Sequence, residues 1–289
     1  MRFANLLFLL TLFATGASAQ WIGHPTPGLP RTKDGKPNLT AKTPRTRDGK
    51  PDLSGVWHPQ TTTLKEVQTF LGPDFSLIEV PGMGIETISK YGITLFPEDP
   101  GAMALMTPAG RSEFMKRFPL PPNVPTEELP STYCLPLSTP LVTNLSEVSK
   151  IVQSPGLIIM LLELNNSYRQ IYIDGRPLPK DPSPSWAGYS TGHWEGDTLV
   201  VETIGFNDKG WLDVVGHPQS EEMHLTERYR RRDVGHMDVE YTFNDPKYYV
   251  RPFTVKITHE LQADTDILEY VCGENEKDLP HMGFSRTLP

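Results

Sequence analysis

Several signatures that would assign a chemistry are missing from this chain. Cys134 and Cys272 are its only cysteines, and neither has another Cys or a His at ligand spacing, which argues against a cysteine metal site or thiol nucleophile. There is no His-x-His or His-Glu-x-x-His spacing for zinc, and no Gly-x-Ser-x-Gly turn for a serine nucleophile. A glycine-rich strand-to-helix turn is also absent, which removes the usual nucleotide and flavin sites. No stretch after the first residues reaches the ~18 apolar residues needed to span a bilayer. Positive charge is in deficit: the formal net charge is -8, which disfavours attraction to nucleic acid or anionic lipid. The run Arg230-Arg231-Arg232 is a local exception, read as a solvated strand edge that discourages edge-to-edge pairing.

What is present begins with an address. Met1-Arg2, the apolar run Leu6 to Phe13 and Ala17-Ser18-Ala19 form the three parts of a signal peptide over residues 1–19. The mature protein is therefore expected in the periplasm or secreted, without an integral membrane segment. In an oxidising compartment the two cysteines read as one disulfide, Cys134 to Cys272. Closing so long a loop contributes on the order of 4 kcal/mol in the chain-entropy model.

Residues 20–52 are rich in Pro, Gly, Thr and basic side chains and contain a repeat. Pro30-Arg31-Thr32-Lys33-Asp34-Gly35-Lys36-Pro37 recurs as Pro44-Arg45-Thr46-Arg47-Asp48-Gly49-Lys50-Pro51. Asp-Gly followed by Lys-Pro favours a turn and then an extended segment. With few apolar residues this stretch cannot bury a core of its own, so it reads as an extended arm or a tether.

A single domain is expected over residues 53–289, with an irregular, proline-interrupted part at 61–147. One short helix is predicted there, with Thr107 as its N-cap, Pro108 at the first position and Ala109 to Phe118 as its body. After Lys150 the pattern changes to strands over 151–153, 157–164, 168–174, 198–206, 223–233, 236–243, 253–261 and 267–272, separated by turn signals. With Gly55 to Trp57 the count is about nine. Short connections argue a mainly β fold, an antiparallel up-and-down meander closed as a barrel or strongly curled as a sheet.

Certain phrases carry a resemblance. Asp52-Leu53-Ser54-Gly55-Val56-Trp57, Trp194-Glu195-Gly196-Asp197-Thr198-Leu199-Val200-Val201 and Leu225-Thr226-Glu227-Arg228 resemble an uncharacterised group of exported bacterial proteins, which brings no activity with it. More loosely, the chain is similar to lipocalin-like domains, in which a Gly-x-Trp opens the first strand and the tryptophan closes one end of the barrel. That resemblance implies a barrel and a ligand pocket only.

Side chains alternate across a strand, so apolar neighbours identify the inner face. His259 shares a face with Val255, Ile257 and Leu261, Glu227 with Leu225 and Tyr229, and Glu202 with Val200 and Ile204. These three are expected to point inward, with Arg169 or Arg228 as their partners. The connection Asn207 to Glu222 is too long for a hairpin, and long loops are often functional. It brings Asn207, Asp208, Trp211 and His217 to the barrel mouth. Glu227, His217, Asp208 and Glu202 are thus the candidate catalytic groups. Arg228, Arg169, Trp211, Asn207, Tyr229 and His259 are the candidate ligand contacts. Trp186, Tyr189, Trp194, Phe206 and Trp211 are expected around the same loops, where aromatic faces suit ring-containing molecules.

Three functions fit these features. One is a binding module for a small apolar or aromatic ligand. Another is a hydrolase, lyase or isomerase using an interior Glu with a loop His, and the third is a structural or interaction protein of the envelope. No cofactor is expected; a divalent metal would need His217, His224 and an interior carboxylate to converge.

Overall fold

The computed structural model describes residues 24–71, 89–92, 94–96, 100–117, 129–145 and 147–272. The expected signal peptide, much of the proline-interrupted part and the chain beyond Cys272 lie outside the described residues. No helix among the described residues is long and apolar enough to cross a membrane.

Nine strands close a barrel in sequence order: β1 (Gly55–Pro59), β2 (Ser149–Ser154), β3 (Leu157–Leu162), β4 (Ser167–Tyr172), β5 (Tyr189–Glu195), β6 (Thr198–Ile204), β7 (His224–Arg231), β8 (His236–Asn244) and β9 (Phe253–Leu261). Closure comes from β9 pairing with β1, Trp57 opposite Leu261. Period-two patterning builds the core. In β9, Phe253, Val255, Ile257, His259 and Leu261 are buried, and the residues between them are exposed or half-buried.

The mainly β barrel matches expectation, with two corrections to its strands. Tyr189–Glu195 is a strand that the sequence did not signal, and 267–272 is not one. The segment 267–272 joins no ladder and is held by a side chain instead: the Tyr270 N–H donates to Asn166 Oδ1 at 3.2 Å. Nor is every joint antiparallel, because β4 and β5 run parallel and are in register only at Ile171 with Ser190 and Tyr172 with Thr191. The excursion 173–188 supplies the crossover that a parallel pair requires.

Among the described residues two α-helices accompany the barrel, α1 (Leu64–Leu71) and α2 (Pro108–Arg117). The second starts as expected, with Thr107 Oγ1 accepting the Gly110 N–H at 3.1 Å. The first was missed although its start is written plainly. Thr63 Oγ1 accepts the Glu66 N–H and Glu66 Oε2 accepts the Thr63 N–H, a reciprocal capping box.

At one barrel end Trp57 is fully buried and donates its indole N–H to the Leu53 carbonyl at 2.9 Å. Arg231 stacks over that ring, 4.8 Å from its centroid, and donates to the carbonyls of Asp52, Ser54 and Val234. Burial lowers the Arg231 guanidinium to about 10, against the opposing charges of Asp52 and Asp233. The arm fastens beside this end. Arg31 pairs with Asp264 and Arg45 with Asp197, and the carbonyls of Leu39 and Ala41 accept the N–H groups of Gly235 and Val234. Both repeats adopt one turn: the Thr32 N–H bonds to Lys36 and the Thr46 N–H to Lys50, each at 2.9 Å.

Cys134 and Cys272 form the expected disulfide, with Cα atoms 5.5 Å apart across a sequence separation of 138. Mass spectrometry of unreduced peptides should recover these two cysteines as one linked pair. Replacing both with serine should lower unfolding stability by up to about 4 kcal/mol in urea titrations, since so long a closed loop constrains the unfolded chain. Free thiols in oxidised protein would refute the bridge.

Candidate functional site

The centre of the barrel is polar. Arg169 on β4 and Glu227 on β7 are 1 % and 0 % exposed and meet in a two-pronged ion pair, Nη1 to Oε1 at 2.9 Å and Nη2 to Oε2. Arg169 also donates to Ser190 Oγ on β5 and, at 2.8 Å, to Thr203 Oγ1 on β6. Glu227 accepts the Tyr229 hydroxyl at 2.6 Å. Every member sits at an inward position of its strand, which is why one network can join β4, β5, β6 and β7.

The electrostatics follow from this geometry. Burial alone would push the Arg169 guanidinium down, but the charge and hydrogen bonds of Glu227 more than offset it and hold the pKa above the ordinary value. Burial, then the Glu227 charge, keeps the phenols of Tyr229 and Tyr241 well above their usual range. His259, 3.5 Å from the Tyr241 hydroxyl, is driven by burial, with a contribution from His58, from 6.5 down to about 3. It is therefore neutral at ordinary pH.

Not all the candidate residues converge on this centre. Glu227, Arg169, Tyr229 and His259 face the interior. Glu202 does not: β6 turns Leu199, Val201 and Thr203 inward, because Val201 lies opposite Glu227 in the register. Glu202 is left half-exposed beside His224 at 3.6 Å. Arg228 likewise points outward and pairs with Glu195 at 2.8 Å. Asp208 is exposed on the loop, and Asn207 accepts the Lys209 N–H in a local turn.

His217 belongs to a separate buried unit. Its Nδ1 lies 2.5 Å from Asp213 Oδ2, and that carboxylate also accepts the N–H groups of Leu95, Gly216 and His217. The ring stacks on Phe114, centroids 4.6 Å apart. Asp213, which the sequence placed in this loop without assigning it a role, thus supplies the main-chain partners that a loop without a ladder lacks. Ser220 is fully buried and donates to Asp245, and Trp211 is buried beneath the Arg117 guanidinium. The Asn207–Glu222 connection is accordingly a packed plug at the barrel end and not a lid over a hollow mouth. Among the described residues no group of three or more His, Cys, Asp or Glu side chains converges as a metal would require.

One accessible concavity lies in the barrel wall, where β4 and β5 part. A cleft of ≈ 400 Å³ opens between Tyr168, Tyr172 and the segment Ser185–Tyr189, and reaches inward to Leu162, Arg169 and Ser190. Two glycines shape it. Gly188 and Gly205 have φ of +67° and +73°, a left-handed conformation that side chains disfavour, and they turn 185–188 away from β4. Ser185 pairs instead with the chain leaving β6, its N–H on the Gly205 carbonyl at 3.0 Å and its carbonyl on the Asn207 N–H at 2.9 Å. The expected aromatic group is therefore divided: Trp186 and Tyr189 line this cleft, Trp194 lines a second groove against the arm, and Phe206 and Trp211 are core. Neither a scan of protein-family models nor searches of curated proteins and solved structures finds a match, so function rests on this geometry.

Two outcomes follow. Arg169→Met strands a buried carboxylate and should cost about 3–5 kcal/mol, whereas Arg169→Met with Glu227→Leu should recover most of that loss. Urea unfolding of the single and double variants measures both, and a single-variant loss below about 1 kcal/mol would contradict the assignment. The second concerns acid. Because His259 titrates near 3 when folded and 6.5 when unfolded, the unfolded chain binds the extra proton in between. Its contribution is complete above 6.5 and falls as pH drops towards about 3, by up to about 1.4 kcal/mol per pH unit. His259→Gln should flatten that limb of the stability–pH curve.

Proposed function

We propose that this is an exported binding protein whose small, ring-containing ligand sits in the cleft between β4 and β5. The observation that carries the reading is the cleft itself. Its ≈ 400 Å³ falls within the range of small-molecule pockets, and so does its chemistry of apolar and aromatic walls with a few polar groups at depth. Leu137, Val142 and Leu162 give the apolar wall, Tyr172, Tyr189 and Trp186 the aromatic one. The aromatic wall is braced in advance. Tyr172 and Tyr189 stack at 5.3 Å, and Arg176, held by Asp174, lies 3.9 Å over the Tyr172 ring. Little side-chain freedom is left for a ligand to quench, which favours affinity.

Binding without turnover is the reading favoured at Glu227. Both of its oxygens already accept hydrogen bonds from Arg169 and Tyr229, so its part is to fix the strands that frame the cleft. Calorimetry against aromatic acids, phenolics and aryl glycosides is the test. Trp186→Ala should weaken the tightest compound about tenfold or more, because a half-buried tryptophan wall carries much of such an interface. If no compound binds, or if Trp186→Ala binds as well as the parent protein, the cleft is not the site.

A further inference from the structure

The wall of the cleft is also an interrupted sheet. β5 is in register with β4 only at Ile171 and Tyr172, while β3 pairs with β4 along its whole length, from Tyr172 back to Ser167. Ser167 to Gln170 therefore have a strand on one side and the cleft on the other. The direction of their main-chain groups follows from the register. The Ile173 N–H bonds to the Gly156 carbonyl on the β3 side at 2.9 Å. In an antiparallel ladder the residues turned towards one neighbour alternate, so Ile171, Arg169 and Ser167 turn towards β3 and Tyr168 and Gln170 turn towards the cleft. The N–H and C=O of Tyr168 and the N–H of Gln170 have no strand partner there among the described residues. Tyr168 is 64 % exposed, so this edge is reachable from solvent.

A closed barrel ordinarily leaves no edge, and an unpaired edge is a template for another strand. We propose that the cleft is a strand-addition site, in which a short extended peptide pairs its main chain with Tyr168 and Gln170 and puts an apolar or aromatic side chain between Leu137, Val142 and Leu162. This rests on the cleft being the binding site and names the ligand's class. Four residues of edge span about 13 Å, room for three or four peptide residues. Alternation fits the surroundings: an inward side chain meets the apolar wall, and its neighbours face Tyr168 and Trp186 at the rim. The opposite bank cannot close the gap, because Ser185 is already committed to Gly205 and Asn207.

The test compares an acetylated, amidated tetrapeptide carrying phenylalanine at its second position with the same peptide N-methylated at its central amides, by calorimetry on the full mature chain. The expected result is that N-methylation weakens binding about tenfold or more, since it removes main-chain donors and leaves the side chains in place. Tyr168→Pro, which removes one edge donor while leaving the β3 ladder its bonds, should weaken the peptide similarly; should that variant not fold, the N-methyl comparison decides alone. Equal binding of both peptides overturns the proposal. Aromatic compounds that bind in a Trp186-dependent way while neither peptide binds would overturn it too, with the cleft standing as a small-molecule site. Silence of both ligand classes removes the cleft reading together with the proposal. A dimer in sedimentation that Tyr168→Pro dissolves would assign the edge to a second copy instead.

Discussion

The ion pair between Arg169 and Glu227 is the interaction on which the rest of the barrel depends. A barrel is held by ladders, and the ladder between β4 and β5 is only two positions long. Arg169 crosses this weak joint: from β4 it reaches Ser190 on β5, Thr203 on β6 and Glu227 on β7. Side-chain hydrogen bonds thus replace main-chain ones where the strands part. Burying two charges has a large desolvation cost, and such a pair is retained only when the remaining donors and acceptors are met. Here Tyr229, Ser190 and Thr203 meet them.

The two ends of the barrel are sealed by different means. At one, aromatic and cationic groups close over the core: Trp57, Arg231 stacked on it, and the repeated arm beside them. At the other the Asn207–Glu222 connection folds inward around Asp213 and His217, with Phe114 against the imidazole. Long loops carry many main-chain groups that need partners once buried. Asp213 and Asp245 meet that need through their carboxylates, and burial raises the Asp245 pKa although the Ser220 hydrogen bonds oppose the change.

How much of this was legible follows from which signals are local. Strong alternation identified most strands, and the inward positions of Glu227, Tyr229 and His259 followed from their apolar neighbours. The start of α2 was readable from Thr107 and Pro108. Local patterning failed where a tertiary partner decides. Glu202 sits between two apolar faces, since Leu199 and Val201 compete with Val200 and Ile204, and only the register with β7 settles the parity. β5 contains Gly192 and few β-branched residues, so it lacks a strand signature and is recruited by β6. The segment 267–272 has the composition of a strand, yet it joins no ladder. His217 and Trp211 have the residue types of a site, yet their packing makes them core.

These facts together are why the proposed site lies in the wall and not at the mouth. Arg169, Glu227, Tyr229 and Tyr241 fill the centre of the nine-strand barrel, and the described residues pack over both of its ends. The shortest ladder is the parallel joint between β4 and β5, two positions long, and the cleft opens there. The crossover 173–188 that makes the joint parallel also supplies Trp186 and Gly188, so one feature of connectivity creates both the opening and its aromatic bank. The polar network then acquires a second consequence: it lets the wall stay parted without the barrel opening, because the strands on either side of the gap are tied from within.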